Sequence, residues 1–232
     1  MMTKIVALLP MKANSSRVPG KNFRDFCGKP LFRWVLDSLL KVKEIDAVII
    51  NTDARDILIN NGLVESDRVI IRQRPAEICG DDVSMNLVIA DDVENVKADI
   101  YLMTHTTNPL ISCDTITSAL ERFKSQVASG IADSLFTVNK IQTRFYREDG
   151  TAINHDPENL IPTQNLEPWY EENSNLYLFT FESFAKTRAR IGLNPAMHIT
   201  PLRESIDIDT PEDWDMGIAT TQYLLDAGVI EI

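Results

Sequence analysis

An alternation of short apolar runs with helically spaced stretches constrains this chain more than any other feature. The runs are 5–9 (IVALL), 47–51 (AVIIN), 68–71 (RVII), 99–103 (DIYLM), 133–138 (DSLFTV) and 175–180 (NLYLFT). Between them, 30–42 places Leu31, Trp34, Val35, Leu39 and Leu40 at helical spacing behind Pro30. Residues 54–61 read as a short helix stopped by Gly62, 84–93 as a helix capped by Ser84, and 181–188 as another. A helix running to 126 is expected to start at a cap on Asp114 or Thr115. Thr210-Pro211-Glu212-Asp213 combines an N-cap, a first-turn proline and first-turn acids, a strong start for a last helix reaching 227. Strands that alternate with helices predict an α/β domain built on a mostly parallel sheet.

The 232 residues read as one domain, 1–232, long enough to bury a core without covalent staples. From about 139 to 173 the chain turns polar, with Pro157, Pro162, Pro168 and the turn signal Asp149-Gly150. That stretch is expected to be an insertion with a hairpin near 143–153. Trp34 and Trp214 lie at helical positions and read as core. No apolar run nears the roughly 20 residues that span a bilayer. The start, MMTKIVALLPM, is too short and lacks the cleavage site of a secretory leader, so it reads as a buried strand. Cys27, Cys79 and Cys113 form no CxxC pair, which argues against a disulfide scaffold or structural zinc and fits a reducing cytoplasm.

A formal net charge of −11 argues against broad nucleic-acid binding. The charge is uneven. Residues 1–33 hold Lys4, Lys12, Arg17, Lys21, Arg24, Lys29 and Arg33 against Asp25 alone. A local basic patch on an acidic protein points to a small anionic ligand.

Ligands of open α/β sheets sit beyond the carboxyl ends of the strands, which singles out the loops 10–30, 51–55 and 104–112. The first, LLPMKANSSRVPGKNFRDFCGKPL, is neither a Walker A loop nor GxGxxG: Pro30 follows Gly28-Lys29 where a Ser or Thr is needed, and the glycine spacing is wrong. It nonetheless offers Lys12, Arg17, Lys21, the hydroxyls of Ser15 and Ser16, and amides in a Gly/Ser/Asn-rich turn. A polyphosphate needs that combination of donors and distributed positive charge.

The segment KANSSRVPGKN at 12–22, followed by GKPL at 28–31, resembles the N-terminal signature of the CMP-sugar synthetases, the acylneuraminate cytidylyltransferases and their relatives that activate 3-deoxy-octulosonate. NTD at 51–53, RPAE at 74–77 with Ser84, HTTNPL at 105–110 and SIDIDTPEDW at 205–214 are similar to the family's later elements, in the same order. The resemblance implies a Rossmann-like nucleotide-diphospho-sugar transferase fold with a small inserted dimerisation arm at about 139–173. In the family that arm crosses a homodimer and completes the partner's sugar pocket.

The same resemblance implies a reaction in which CMP passes from CTP to a sugar acid and pyrophosphate leaves. Lys12, Arg17 and Lys21 would hold the triphosphate, with Asn14 and Ser15 beside them. Asn22, Arg72 or Arg74, and Ser84 would border cytosine and ribose. Asp207 and Asp209 would bind Mg2+; two carboxylates two residues apart on a strand share a face and suit a hard cation. Capping of the last helix is the other reading of that pair. Lys21, Arg17 and Asp209 would carry the chemistry. Asp53 reads equally as a ribose contact or a turn cap. His105, Thr107 and Asn108 would face the acceptor, together with Gln164, Glu171, Glu172 and Asn173 of the insertion; His105 also reads as a simply packed histidine.

One departure concerns the acceptor. The arginine that the sialate enzymes use for the sugar carboxylate is missing from PTQNLEPWYEENSNLYLF, and Arg144 or Arg147 would have to replace it. Glu171 and Glu172 would instead meet hydroxyls or an amine, or lie solvated on the arm. A different anionic acceptor, such as a phosphonate, and a non-catalytic nucleotide-binding regulator are the two alternative functions.

Overall fold

The computed structural model describes residues 3–232. Seven strands form one sheet: β1 (Ile5–Leu8), β4 (Ala47–Thr52), β5 (Val69–Gln73), β6 (Ile100–Thr104), β7 (Ser134–Ile141), β8 (Trp169–Thr180) and β9 (Pro195–Ile199). Their order is β5-β4-β1-β6-β8-β7-β9. The β1–β4, β1–β6, β4–β5 and β7–β9 pairs are parallel, whereas β8 runs antiparallel to β6 and β7. A two-residue-per-strand hairpin, β2 (Asp25–Phe26) with β3 (Lys29–Pro30), lies apart from it. The helices are α1 (Leu31–Lys41), α2 (Arg55–Asn60), α3 (Met85–Asn95), α4 (Cys113–Ala128), α5 (Phe181–Thr187) and α6 (Pro211–Asp226). The α/β class and the mostly parallel sheet match the sequence reading.

The sheet is buried on both faces because alternate side chains point opposite ways. Ile5 and Ala7 enter one core with Phe32, Leu36, Leu120 and Phe123 of α1 and α4. Val6 and Leu8 enter the other with Ile89, Val93, Tyr101, Phe179 and Phe184, against α3 and α5. A third cluster joins Val18, Phe26, Leu31 and Trp34 to Ile208 and Trp214. It welds the first loop to the segment ahead of α6. Trp34 Nε1 donates to Phe26 O at 2.8 Å, and a Cβ on Gly217 would stand 3.2 Å from both Ile208 and Phe26.

The structure moves several boundaries. α4 is capped by Ser112, whose Oγ accepts from Thr115 N at 3.1 Å, so Asp114 and Thr115 fall inside the first turn. Glu204 accepts from both the N–H and the hydroxyl of Ser112 at 3.0 Å, which fixes that cap. β8 begins at Trp169 and pairs with β7 out to Ile141, so both ends of the 139–173 insertion belong to the sheet and 142–168 lies between them. β9 was not foreseen: PAMHI is an edge strand that starts with proline and fully buries none of its residues, alternating exposed with half-buried positions. Residues 205–209 do not form a strand, contrary to expectation. They are docked by Ile208 N donating to Thr107 O at 2.8 Å. With Ile208 turned into the third core, Asp207 and Asp209 still share the opposite side.

Candidate active site

The carboxyl ends of β1, β5 and β6 and the amino-terminal half of β8 border a cleft of about 370 Å3. Its first wall is the loop after β1. Gly20, at φ +63°, makes the reversal that only glycine tolerates without strain. The short 3-10 turn Lys21–Phe23 then buries Lys21 and Asn22. Asn22 Nδ2 donates to Lys12 O at 3.0 Å, and Asn22 Oδ1 accepts from Thr106 Oγ1 at 2.6 Å, tying this loop to the one after β6. Ala13 N donates to Asp53 Oδ1 at 2.7 Å, so Asp53 pins the loop from β4 and does not line the cleft.

The cationic side chains of this wall already hold carboxylates. Arg17 meets Asp209 Oδ2 at 3.0 Å, Lys21 meets Asp209 Oδ1 at 3.3 Å and also donates to Ile208 O, and Lys12 meets Asp81 at 2.7 Å. Asp207 lies beside Asp209. Burial, with the Asp209 charge adding to it, raises the Asp207 carboxyl above the usual range. Its Oδ1 is buried with no hydrogen-bond partner.

Lys12, Asn14, Ser15, Arg17, Lys21, Asn22, Asp207, Asp209, His105 and Thr107 line this one cleft, as the sequence reading required. The choice between Arg72 and Arg74 resolves in favour of Arg74. Arg74 lines the cleft, 5% exposed, and donates to Asn51 Oδ1 (3.0 Å), Asn51 O (2.8 Å) and Met11 O (3.1 Å). Arg72 does not line the cleft; it sits under α3, where it pairs with Asp91 at 2.9 Å and with Asp92, and Asn51 stands between that pair and Arg74.

Five other expected site residues do not line this chain's cleft. Ser84 is an exposed cap whose Oγ accepts from Asn86 N, and it does not line the cleft. Asn108 is buried, donating to Ile206 O at 3.3 Å. Asn173 is buried among Asn139, Thr200 and Ser205. Glu171 is exposed and bonded to Asn139 at 3.0 Å. Gln164 is exposed in the arm. Each owes its place to backbone that the sequence could not orient. Arg144 bonds Ile161 O inside the arm, and neither it nor Arg147 reaches this chain's cleft.

Ser174 and Arg190 also line the cleft, and the sequence reading named neither. The rule that ligands gather after strands hides them, since β8 runs backwards and brings its beginning to the ligand side. Glu172 stands one step behind the wall, accepting from Arg190 Nη2 at 3.3 Å and from Tyr177 OH. Burial first, then Arg190, pushes the His105 imidazole down to about 4.

A sequence profile of the cytidylyltransferase family matches residues 6–212. The chain belongs to the cytidylyltransferase family. This cytidylyltransferase is 25% identical over 231 residues to the CMP-N,N'-diacetyllegionaminic acid synthase of Legionella pneumophila, covering 96% of this chain and 97% of that one. It is 22% identical to a pseudaminic acid cytidylyltransferase of Campylobacter jejuni, covering 92% and 94%. Among solved structures, the fold is similar to a CMP:2-keto-3-deoxy-manno-octonic acid synthetase complexed with CTP, at a TM-score of 0.66 and 17% identity over 95% of this chain and 99% of that one. No helix among the described residues is long and apolar enough to cross a membrane.

Proposed function

We propose that this cytidylyltransferase transfers CMP from CTP to a sugar acid of the sialic-acid or 3-deoxy-ulosonic class and releases pyrophosphate. The observation that carries the reading is the sharing of Asp209 between Arg17 and Lys21, next to Asp207 and its unpartnered oxygen. A triphosphate entering here takes over the two cations, and Asp209 is released to join Asp207. Magnesium fits that pair, since it is commonly held by one or two carboxylates and completed by substrate phosphates and water. When bound, it supplies charge neutralisation at the reacting phosphate. Among the described residues no group of three or more His, Cys, Asp or Glu converges as a self-sufficient metal cage, which agrees with a two-carboxylate site.

The acceptor's anomeric oxygen bonds to the α-phosphorus as the bond to the α–β bridging oxygen breaks, pyrophosphate leaves with that oxygen, and the hydroxyl proton passes to solvent. Such transfers depend mainly on positioning and charge stabilisation. Lys21, 7% exposed and held by Ile208 O, is fixed for the departing pyrophosphate. Lys12 and Arg17 add mobile charge, and Arg74, braced by Asn51, borders the nucleoside. His105, with its affinity for protons so reduced, orients groups and is a poor proton acceptor. We place the reaction in the cytoplasm, where CTP is made and free thiols persist, and read the working form as a homodimer joined through the arm. Tyr146, Ile153, Leu160 and Ile161 are exposed there and support a partner surface.

Lys21→Ala and Asp209→Ala each lower CTP- and sugar-acid-dependent pyrophosphate release by about 10²–10³-fold or more, with an unchanged circular dichroism spectrum. Activity near that of the parent in either variant sinks the assignment.

A further inference from the structure

The acceptor must carry its acidic group to something, and the arm of this chain offers its own cleft no arginine. We infer that Arg190 is the residue that reads the acceptor's carboxylate, and that Glu172 tempers it; the inference rests on the sugar-acid reading above.

Four observations converge on Arg190. It lines the cleft together with His105, Thr107 and Ser174. Its guanidinium carbon lies over the Tyr177 ring, 3.7 Å from the centroid, a cation–π contact that holds it in place. Nη1 is 3.2 Å from His105 Nε2, which places that nitrogen's lone pair on the arginine and the ring proton on Nδ1. Nη2 is 3.3 Å from Glu172 Oε1, on a carboxylate that is itself partly exposed. That contact is long for a charged pair, whose usual range is about 2.7–2.9 Å, so the arginine keeps capacity for a second anion.

The backbone around Arg190 is built to hold it still. Arg190 N donates to Asn86 Oδ1 at 3.3 Å. Asp133 accepts from Leu193 N at 2.8 Å and Asn194 N at 3.0 Å, and Ser134 Oγ accepts from Gly192 N at 2.8 Å. A loop pinned by four hydrogen bonds, presenting one guanidinium into a cleft, is preorganised for a planar anion. Glu172 keeps Arg190 from standing as a bare cation when no acceptor is bound, and its removal strengthens the hold on any anion.

The test uses the full chain with CTP, magnesium and a panel of N-acetylneuraminate, a legionaminic-type acid and 3-deoxy-manno-octulosonate, each also supplied as its carboxamide. Arg190→Ala raises the KM for the preferred acid by roughly 10–100-fold, the size of a lost hydrogen bond to a charged group. Its CTP affinity, by calorimetry, stays at the parent value, which also certifies the fold. The parent prefers acid over carboxamide, Arg190→Ala loses that preference, Arg190→Lys keeps part of it, and Glu172→Gln lowers the KM for the acid. An unchanged acid KM and preference in Arg190→Ala, beside an active parent, overturns the inference alone. A weakened CTP affinity at normal acid KM overturns it by moving Arg190 to the nucleotide. A parent that binds CTP but turns over no sugar acid overturns the function and the inference together.

Discussion

Asp92 is the least comfortable side chain in the fold. It is 1% exposed, pairs with Arg72, accepts from Asn51 Nδ2 at 2.9 Å, and leaves Oδ2 without a partner. Burial outweighs these partners and pushes its carboxyl up to about 6, whereas Arg72, facing two acids, is raised. A carboxyl whose folded pKa exceeds its unfolded one contributes stability that is complete below about pH 4 and is lost as the pH climbs through about 6. Asp92→Asn lacks that titration, so it gains stability relative to the parent between pH 4 and pH 7. Urea unfolding midpoints at pH 4, 5.5 and 7 measure the difference, and a constant gap rejects the raised pKa. Asn51 carries the consequence toward the cleft, because the same side chain that binds Asp92 accepts from Arg74 Nε. His105 gives a second expectation. With its imidazole held down to about 4, the rate profile shows no ionisation from this residue between pH 6 and 9, and His105→Gln leaves that part of the profile superimposable on the parent's.

Elements matter here through their direction and their pins. Gly192 is pressed against Asp133, where a Cβ would sit 2.3 Å from Oδ1, and against Ser183 Oγ at 2.4 Å. Gly192→Ala therefore breaks the Asp133 turn. We expect overpacking to cost about 1–3 kcal/mol in urea unfolding, together with a raised acceptor KM at unaltered CTP affinity; a stability loss without that KM change separates the turn from Arg190. The forward strands and their loops were legible in the chain, since apolar runs, Pro30, Gly62, Ser84 and the Thr210 cap are local signals. Thr210 caps the last helix as read, and Asp213 completes a capping box with it. The basic loop was legible for the same reason: Lys12, Arg17 and Lys21 fall within one short segment. Arg190, Ser174 and the true position of Arg72 were not, because each depends on which way a strand runs or which side of it a helix covers. Periodicity carries neither. The acidic pair near 207 was found for a partly wrong reason, as the segment alternates without being a strand.

At the scale of the whole molecule, the arm leaves Tyr146, Ile153, Leu160, Ile161 and Tyr170 at 40% exposure or more, on a hairpin stiffened by Phe145 stacking on Trp169 at 4.9 Å. Light scattering coupled to size exclusion is expected to give twice the 26.2 kDa chain mass, and the pair Ile153→Asp with Leu160→Asp is expected to shift it toward the single chain. A parent eluting at one chain mass removes the arm as an interface.

The lone reversed strand has a consequence for how such a chain diversifies. Everything that grips CTP in the proposed site, apart from the aspartates at 207 and 209, comes from the first third of the chain, whereas the acceptor wall gains Glu172, Ser174 and Arg190 from around β8 and the turn after α5. Choice of donor and choice of acceptor are thus written in separate stretches of the gene. A lineage can drift, or recombine, its later stretch to adopt a new sugar and leave the nucleotide half untouched.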